Sequence, residues 1–345
     1  MVDLVLSSDQ QQVVDGVRDF LADKAPLARL RPGASERRDT DLWPAMGEMG
    51  WFMMALPEAD GGVGMSVVEE ALVFREFGRR VLTPCVLAQT LGARVALAAG
   101  KSDAAAQIAS GGVRVAFANA LGPATIGAAT SGRFHIFDGA VAPYVFAIAE
   151  DGAAALIERR SLNDVTAVNS AVDGVEIEAA SLEGAPAFAT APASAGLHTL
   201  ARLFAASMLA GVCEATRDLA TEYAKVRNQF GQPIGAFQAI KHKCADMALR
   251  AEAVGALTNF ASIAVATQRD DAAFQATSAK LLAGQYALLS AKETIQVHGG
   301  IGFTVECDAH HFLKRAHLYD QIAGNSRRQQ RLLLQTPAPA PEAAA

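Results

Sequence analysis

Aromatic side chains are scarce in this sequence, at 6% of residues, and charged ones are sparse, at 19%. There are only four cysteines, and no apolar run reaches the ~18–20 residues that a membrane span needs. Each scarcity excludes something. With 51% hydrophobic residues and few charges, disorder fails as a description of the 345-residue chain. The lack of a long apolar run argues against a membrane span. A net charge of −6 offers nucleic acid no general attraction. Cys85, Cys213, Cys244 and Cys307 form no CxxC pair and read as buried thiols in a reducing compartment, with no metal site. The start, MVDLVLSSDQ, has an acid where a secretory signal carries positive charge. A chain beginning near Met1 and staying in the cytoplasm is therefore expected.

What is abundant is alanine, 72 of 345 residues. Alanine favours helices and lets them pack closely, so a mainly helical protein with long bundle helices is expected. At ~150 residues per domain the length suggests two or three units. Residues 1–112 read as a helical domain: Ser7 or Ser8 caps a stripe of Val13, Val14, Val17, Phe20 and Leu21. Trp43 and Trp51 read as core. Residues 113–191 read as a small antiparallel β domain, with strand-like runs at 113–117, 134–137 and 145–148 and strict alternation at 175–178. Residues 192–335 are helical again. Ile240, Cys244, Met247, Ala251 and Val254 fall on one seam, and Phe274, Leu281, Leu282, Leu288 and Leu289 line another helix. These helices predict an antiparallel bundle. The Pro/Ala-rich stretch 336–345 reads as a disordered tail.

Two stretches of the third segment are candidates for chemistry. RNQFGQPIGAFQ, from Arg227 to Gln238, breaks two helices with glycines and a proline and places an arginine, aromatics and amides at one junction. QVHGGIGFT, from Gln296, has glycines at 299, 300 and 302 that let a backbone approach a ligand. N–H groups at helix ends, with an arginine, suit a pyrophosphate. On spacing alone, two helix-breaking turns with an exposed arginine are the simpler reading, because a Gly-rich turn is a weak signal.

These motifs, with Ala245-Asp246-Met247 after the first, resemble the two C-terminal motifs of the flavin-dependent acyl-CoA dehydrogenases. The stretch from Leu42 to Arg79 resembles that family's N-terminal helical domain. The resemblance covers about two-thirds of the chain. It implies a helical N-terminal domain, a β-barrel-like middle and a C-terminal four-helix bundle. It also implies FAD lying across a subunit interface, with Arg227 on the pyrophosphate, Phe230 and His298 packed beside the cofactor, and Gln238 hydrogen-bonded to it. Gln296, Gly299 and Gly300 would supply an amide and close backbone contacts.

The family's TEP-x-x-GSD-like loop is not matched. Residues 118–125 read ANALGPAT, and the position expected for a WIT-like strand reads Val141-Ala142-Pro143-Tyr144, with a proline unsuited to a central strand. The family's catalytic glutamate would fall at Ala323 or Gly324, and its alternative location at Ala201. Asp320 and Glu306 are weak substitutes, Glu306 and Asp308 reading instead as salt-bridge residues. His310, His311 and His317, near Lys314 and Arg315, read as solvated or interface residues. The resemblance therefore implies a short subunit, similar to the β-type chains of α2β2 steroid side-chain acyl-CoA dehydrogenases. A longer catalytic partner would act on an acyl-CoA and pass electrons to an electron-transfer flavoprotein. The alternatives are a self-sufficient homotetramer with a relocated base and a scaffold without flavin.

Overall fold

The computed structural model describes residues 4–31, 33 and 38–335. The expected disordered tail lies outside the described residues. Five helices come first: α1 (Ser8–Lys24), α2 (Trp43–Glu48), α3 (Val67–Arg79), α4 (Cys85–Ala98) and α5 (Ser102–Ala109). Two of them start on the same local device. Ser7 with Gln10, and Ser66 with Glu69, form reciprocal capping boxes that satisfy N–H groups at the starts of α1 and α3. Trp43 and Trp51 are buried, as expected.

The middle has six strands: β1 (Val115–Ala120), β2 (Ala129–Phe137), β3 (Tyr144–Ile148), β4 (Ala154–Glu158), β5 (Asn163–Ala167) and β6 (Ile177–Ala191). Their order is β2-β1-β3-β4-β6-β5, and an added β2–β6 pairing closes the sheet into a barrel. Strand alternation divides the side chains between two cores. Ala116, Ala118, Val145 and Ala147 fill the barrel, while Val115, Phe117 and Phe146 join the main core that includes α4.

Two expectations are corrected here. The sheet is not wholly antiparallel, because β1 and β3 pair in parallel. From β2 the chain runs through residues 139–141 into β3, which pairs with β1 on the side away from β2. Pro143 does not spoil a central strand. It precedes β3, where its carbonyl accepts from the Arg159 N–H at 2.9 Å and no donor is required of it.

The third part holds α6 (Leu197–Val226), a two-residue hairpin of β7 (Asn228–Gln229) and β8 (Gln232–Pro233), α7 (Gln238–Ala266), α8 (Ala272–His298), α9 (Ala309–Gln321) and α10 (Ser326–Gln335). Alanine sets the packing. The buried stripe of α8 is Ala276, Ala279, Ala283, Ala287 and Ala291. The residues expected to line it, Phe274, Leu281, Leu282 and Leu288, are only half-buried, and Leu289 is exposed, because small side chains hold the inner face where α6 and α7 approach. On the α7 seam, Met247, Ala251 and Val254 are buried, with Ile240 and Cys244 half-buried.

Candidate functional site

Two regions, at opposite ends of α6, collect the residues of interest. The first is a cavity of about 840 Å³ where the ends of β1 and β3, loop residues 122–126, the first turns of α6 and the α9–α10 junction meet. Ala323 and Gly324 line it from a left-handed turn, with φ of 54° and 92°. Gln329 Nε2 donates to both of their carbonyls at 2.7 Å. Residues of segment 118–125 line the same cavity, so the two stretches that the resemblance singled out are brought together. Pro143 and Tyr144 are not part of this wall; they line a separate depression with Glu158, Arg159 and Arg160.

The cavity carries polar groups that the sequence did not single out. Arg202 is 9% exposed, and its Nε has no hydrogen-bond partner. Its Nη2 lies 3.4 Å from His198 Nδ1. Burial and the Arg202 charge push the His198 ring down to about 4, so it is neutral at pH 7. Burial, then the charge of Arg328, pushes Arg202 down to about 10. Arg328 Nη2 pairs with Glu150 Oε2 at 2.8 Å. Among the described residues, the acids lining the cavity are Glu150 and Asp151, both exposed at its rim. The clue in the sequence was a charge embedded in an apolar run, one position after Ala201. Ala201 itself is fully buried in the main core.

The substitutes for the glutamate are placed elsewhere. Asp320 does not line the cavity; its Oδ1 accepts from Ser326 N at 3.1 Å and Ser326 Oγ at 2.7 Å. Glu306 is exposed, and the neighbouring Thr304 hydroxyl holds its carboxyl below the usual range. Asp308 pairs with Arg31 at 2.9 Å. Of the three histidines read as solvated or interface residues, His317 is exposed and His310 half-buried, but His311 is only 3% exposed; neighbouring Arg315 is 1% exposed. His311 Nδ1 lies 2.9 Å from Asp173 Oδ2, and Arg315 donates to the Leu82 and Asp173 carbonyls, which ties α9 to the loop before β6. Asp173, His310 and His311 have ligand-type atoms within 4.8 Å of one another, but Lys314 Nζ already occupies Asp173 Oδ2 at 2.6 Å.

The second region is the far end of the bundle. α6 is 30 residues long, so Arg227 stands about 40 Å from the cavity along its axis. The two sequence motifs converge here: Tyr223 stacks on His298 with centroids 4.2 Å apart, and Val297 packs with Ala224 and Met247. His298 Nδ1 faces the Thr294 carbonyl at 2.7 Å, a packing arrangement. Arg227, Gln238, Gln296, Gly299 and Gly300 are all exposed. Phe230 is 91% exposed at φ 54°. A Cβ added at Gly299 or Gly300 would meet nothing within 4 Å, so packing within the chain does not require glycine at either position. Gly299 is set by its backbone, which ends α8 at φ 65°, whereas Gly300 leaves its backbone open to an approach from outside. An exposed arginine, amides and open glycine backbone at one bundle end fit the phosphates of a dinucleotide.

The acyl-CoA dehydrogenase C-terminal domain matches residues 194–336, and the acyl-CoA dehydrogenase N-terminal domain matches residues 7–109. The chain belongs to the acyl-CoA dehydrogenase family. It is 31% identical over 324 residues to acyl-CoA dehydrogenase IpdE2 of Mycobacterium tuberculosis, covering 92% of this chain and 94% of that protein. It is 35% identical over 311 residues to FadE34 of the same organism, covering 85% of this chain and 42% of that longer protein. The fold is shared with the ChsE4-ChsE5 complex of M. tuberculosis, at a TM-score of 0.82 and 23% identity over 98% of this chain and all of that one.

Proposed function

We propose that this chain is a subunit of an FAD-dependent acyl-CoA dehydrogenase that lends half of a cofactor site to a longer, catalytically complete partner. The observation that carries the reading is the contrast between the two ends of α6. The far end presents an exposed arginine, exposed amides and the open backbone of Gly300. The cavity carries alanine and glycine where the family's proton-abstracting carboxylate would stand. The ~40 Å between them keeps one chain from completing a site with both.

FAD, when bound, would accept the hydride that leaves Cβ of the acyl thioester. Arg227 would meet its pyrophosphate with a forked donor, Phe230 would cover one face, and Gln238, Gln296 and the 299–300 backbone would fix its orientation. The partner would supply the carboxylate that takes the α-proton. A fold shared with a chain described as a steroid acyl-CoA dehydrogenase supports a bulky steroid-side-chain acyl-CoA as substrate. An α2β2 assembly in the cytoplasm, with an electron-transfer flavoprotein as acceptor, fits this reading.

The test is expression of the chain alone and with a longer homologue. The complex should carry flavin and oxidise acyl-CoA, and Arg227→Ala should remove the flavin. Stoichiometric FAD and acyl-CoA oxidation by the chain alone would end the proposal.

A further inference from the structure

Arg202 is a buried cation without an acid. It is 9% exposed, its Nε has no partner, and its Nη2 meets only the His198 ring, at 3.4 Å. His198 cannot neutralise it, because a neutral imidazole carries no charge and its ring is held at the Ala323 carbonyl. Arg328, the next cation, is already paired with Glu150. Of the other buried cations, Arg94 pairs with Glu70, Arg29 with Asp39 and Lys280 with Asp320, and Arg315 spends its guanidinium on the Leu82 and Asp173 carbonyls. An unpaired buried charge is costly, and a buried polar atom without a partner calls for an explanation.

The explanation lies in what Arg202 faces. It lines the cavity of about 840 Å³, whose other walls include Phe117, Ala118, Ile126 and Ile148. A cavity of this size with apolar walls and a few convergent donors is the usual form of a small-molecule site.

We infer that this cavity binds a monocarboxylate carried on an apolar body, with the carboxylate received by the Arg202 guanidinium and the apolar part lying against the barrel end. A monoanion matches the single unpaired charge. Glu150 and Asp151 at the rim disfavour any anion, and a more highly charged one such as phosphate more than a monocarboxylate. The guanidinium fork accommodates both oxygens of a carboxylate. The site is separate from the bundle-end motifs and does not depend on their sharing a flavin.

Octanoate, 1-octanol and inorganic phosphate are the probes, titrated calorimetrically into the full chain at pH 7.5. Octanoate should bind saturably, and octanol and phosphate should bind at least tenfold more weakly. Arg202→Gln should weaken octanoate at least tenfold. Arg202→Met supplies a second readout that does not need binding: with the unpaired charge removed, the free chain should melt at the same or a higher temperature, and octanoate should no longer raise it. Octanoate that fails to bind, that binds Arg202→Gln equally, or that is matched by octanol or phosphate overturns the inference. So does an Arg202→Met chain that melts lower, since that marks a structural arginine. Flavin content of the complex with a partner reads the functional proposal separately, so either can fail alone.

Discussion

Lys280 Nζ lies 3.0 Å from the backbone carbonyl of Asp320 and 3.7 Å from its Oδ1, with the lysine fully buried. Burial pushes the ammonium down to about 8, partly countered by the Asp320 charge. The same carboxylate caps the start of α10 through Ser326. Asp320 therefore joins α8, α9 and α10 rather than facing a substrate.

Asp320→Ala leaves the Lys280 charge buried and the α10 cap unmade. It should destabilise the chain by about 3–5 kcal/mol, read by urea denaturation. Turnover per folded complex should be unchanged. A large fall in turnover at near-normal stability would restore Asp320 as a base.

Asp138 predicts an unusual pH dependence. Its carboxylate accepts from the Thr83 hydroxyl and, at 3.0 Å, from the Glu176 N–H, yet burial raises it to about 6. The folded chain then holds a proton that the unfolded chain releases. This contribution to stability is full below about 3.8 and is lost as pH rises to about 6, at about 1.4 kcal/mol per pH unit. Urea midpoints across this window should fall for the wild type by that amount relative to Asp138→Asn. Parallel midpoints for the two proteins would remove Asp138 from the account.

How much of this was written in the sequence depends on how local the cause is. The capping boxes at Ser7 and Ser66 follow from residues three apart, and the α1 stripe from one helix. The bundle-end motifs were legible because glycines and a proline interrupt long helical stretches beside an arginine and amides. The inner face of α8 was not legible: a hydrophobicity pattern favours Leu281 and Leu288, whereas the spacing between helices favours Ala283 and Ala287. β4 was hidden in an alanine run, and β6 carries Gly184 and Pro186, which weaken its alternation. Arg202 was missed because its meaning lies in the absence of an acid nearby, which only three-dimensional contact reveals.

Two glycines separate close packing from mere helix weakening. A Cβ at Gly211 would stand 1.9 Å from the Arg75 carbonyl oxygen, where α6 crosses α3. Gly211→Ala should therefore cost at least ~3 kcal/mol, the upper end of ordinary overpacking. Gly16, exposed on α1, has nothing within 4 Å, so Gly16→Ala should stabilise by about 0.5–1 kcal/mol through helix propensity. Thermal unfolding of the two variants should move in opposite directions, and a tolerated alanine at 211 would mean the helices can part freely.

Phe230 gives the bundle end its own test. The ring is 91% exposed, touches Phe237 edge-on at 6.0 Å, and sits at a φ that a bulky residue adopts only at a cost. Nothing in the isolated chain rewards that arrangement beyond one aromatic contact, worth about 0.5–1.5 kcal/mol. Phe230→Ala should therefore shift the melting of the chain alone by no more than this, with part of the loss offset by relief at the backbone. In the complex with a catalytic partner the same change should lower bound flavin, measured by absorbance per heterodimer after gel filtration. Full flavin retention by Phe230→Ala would place the ring outside the cofactor site and leave its exposure without a purpose there.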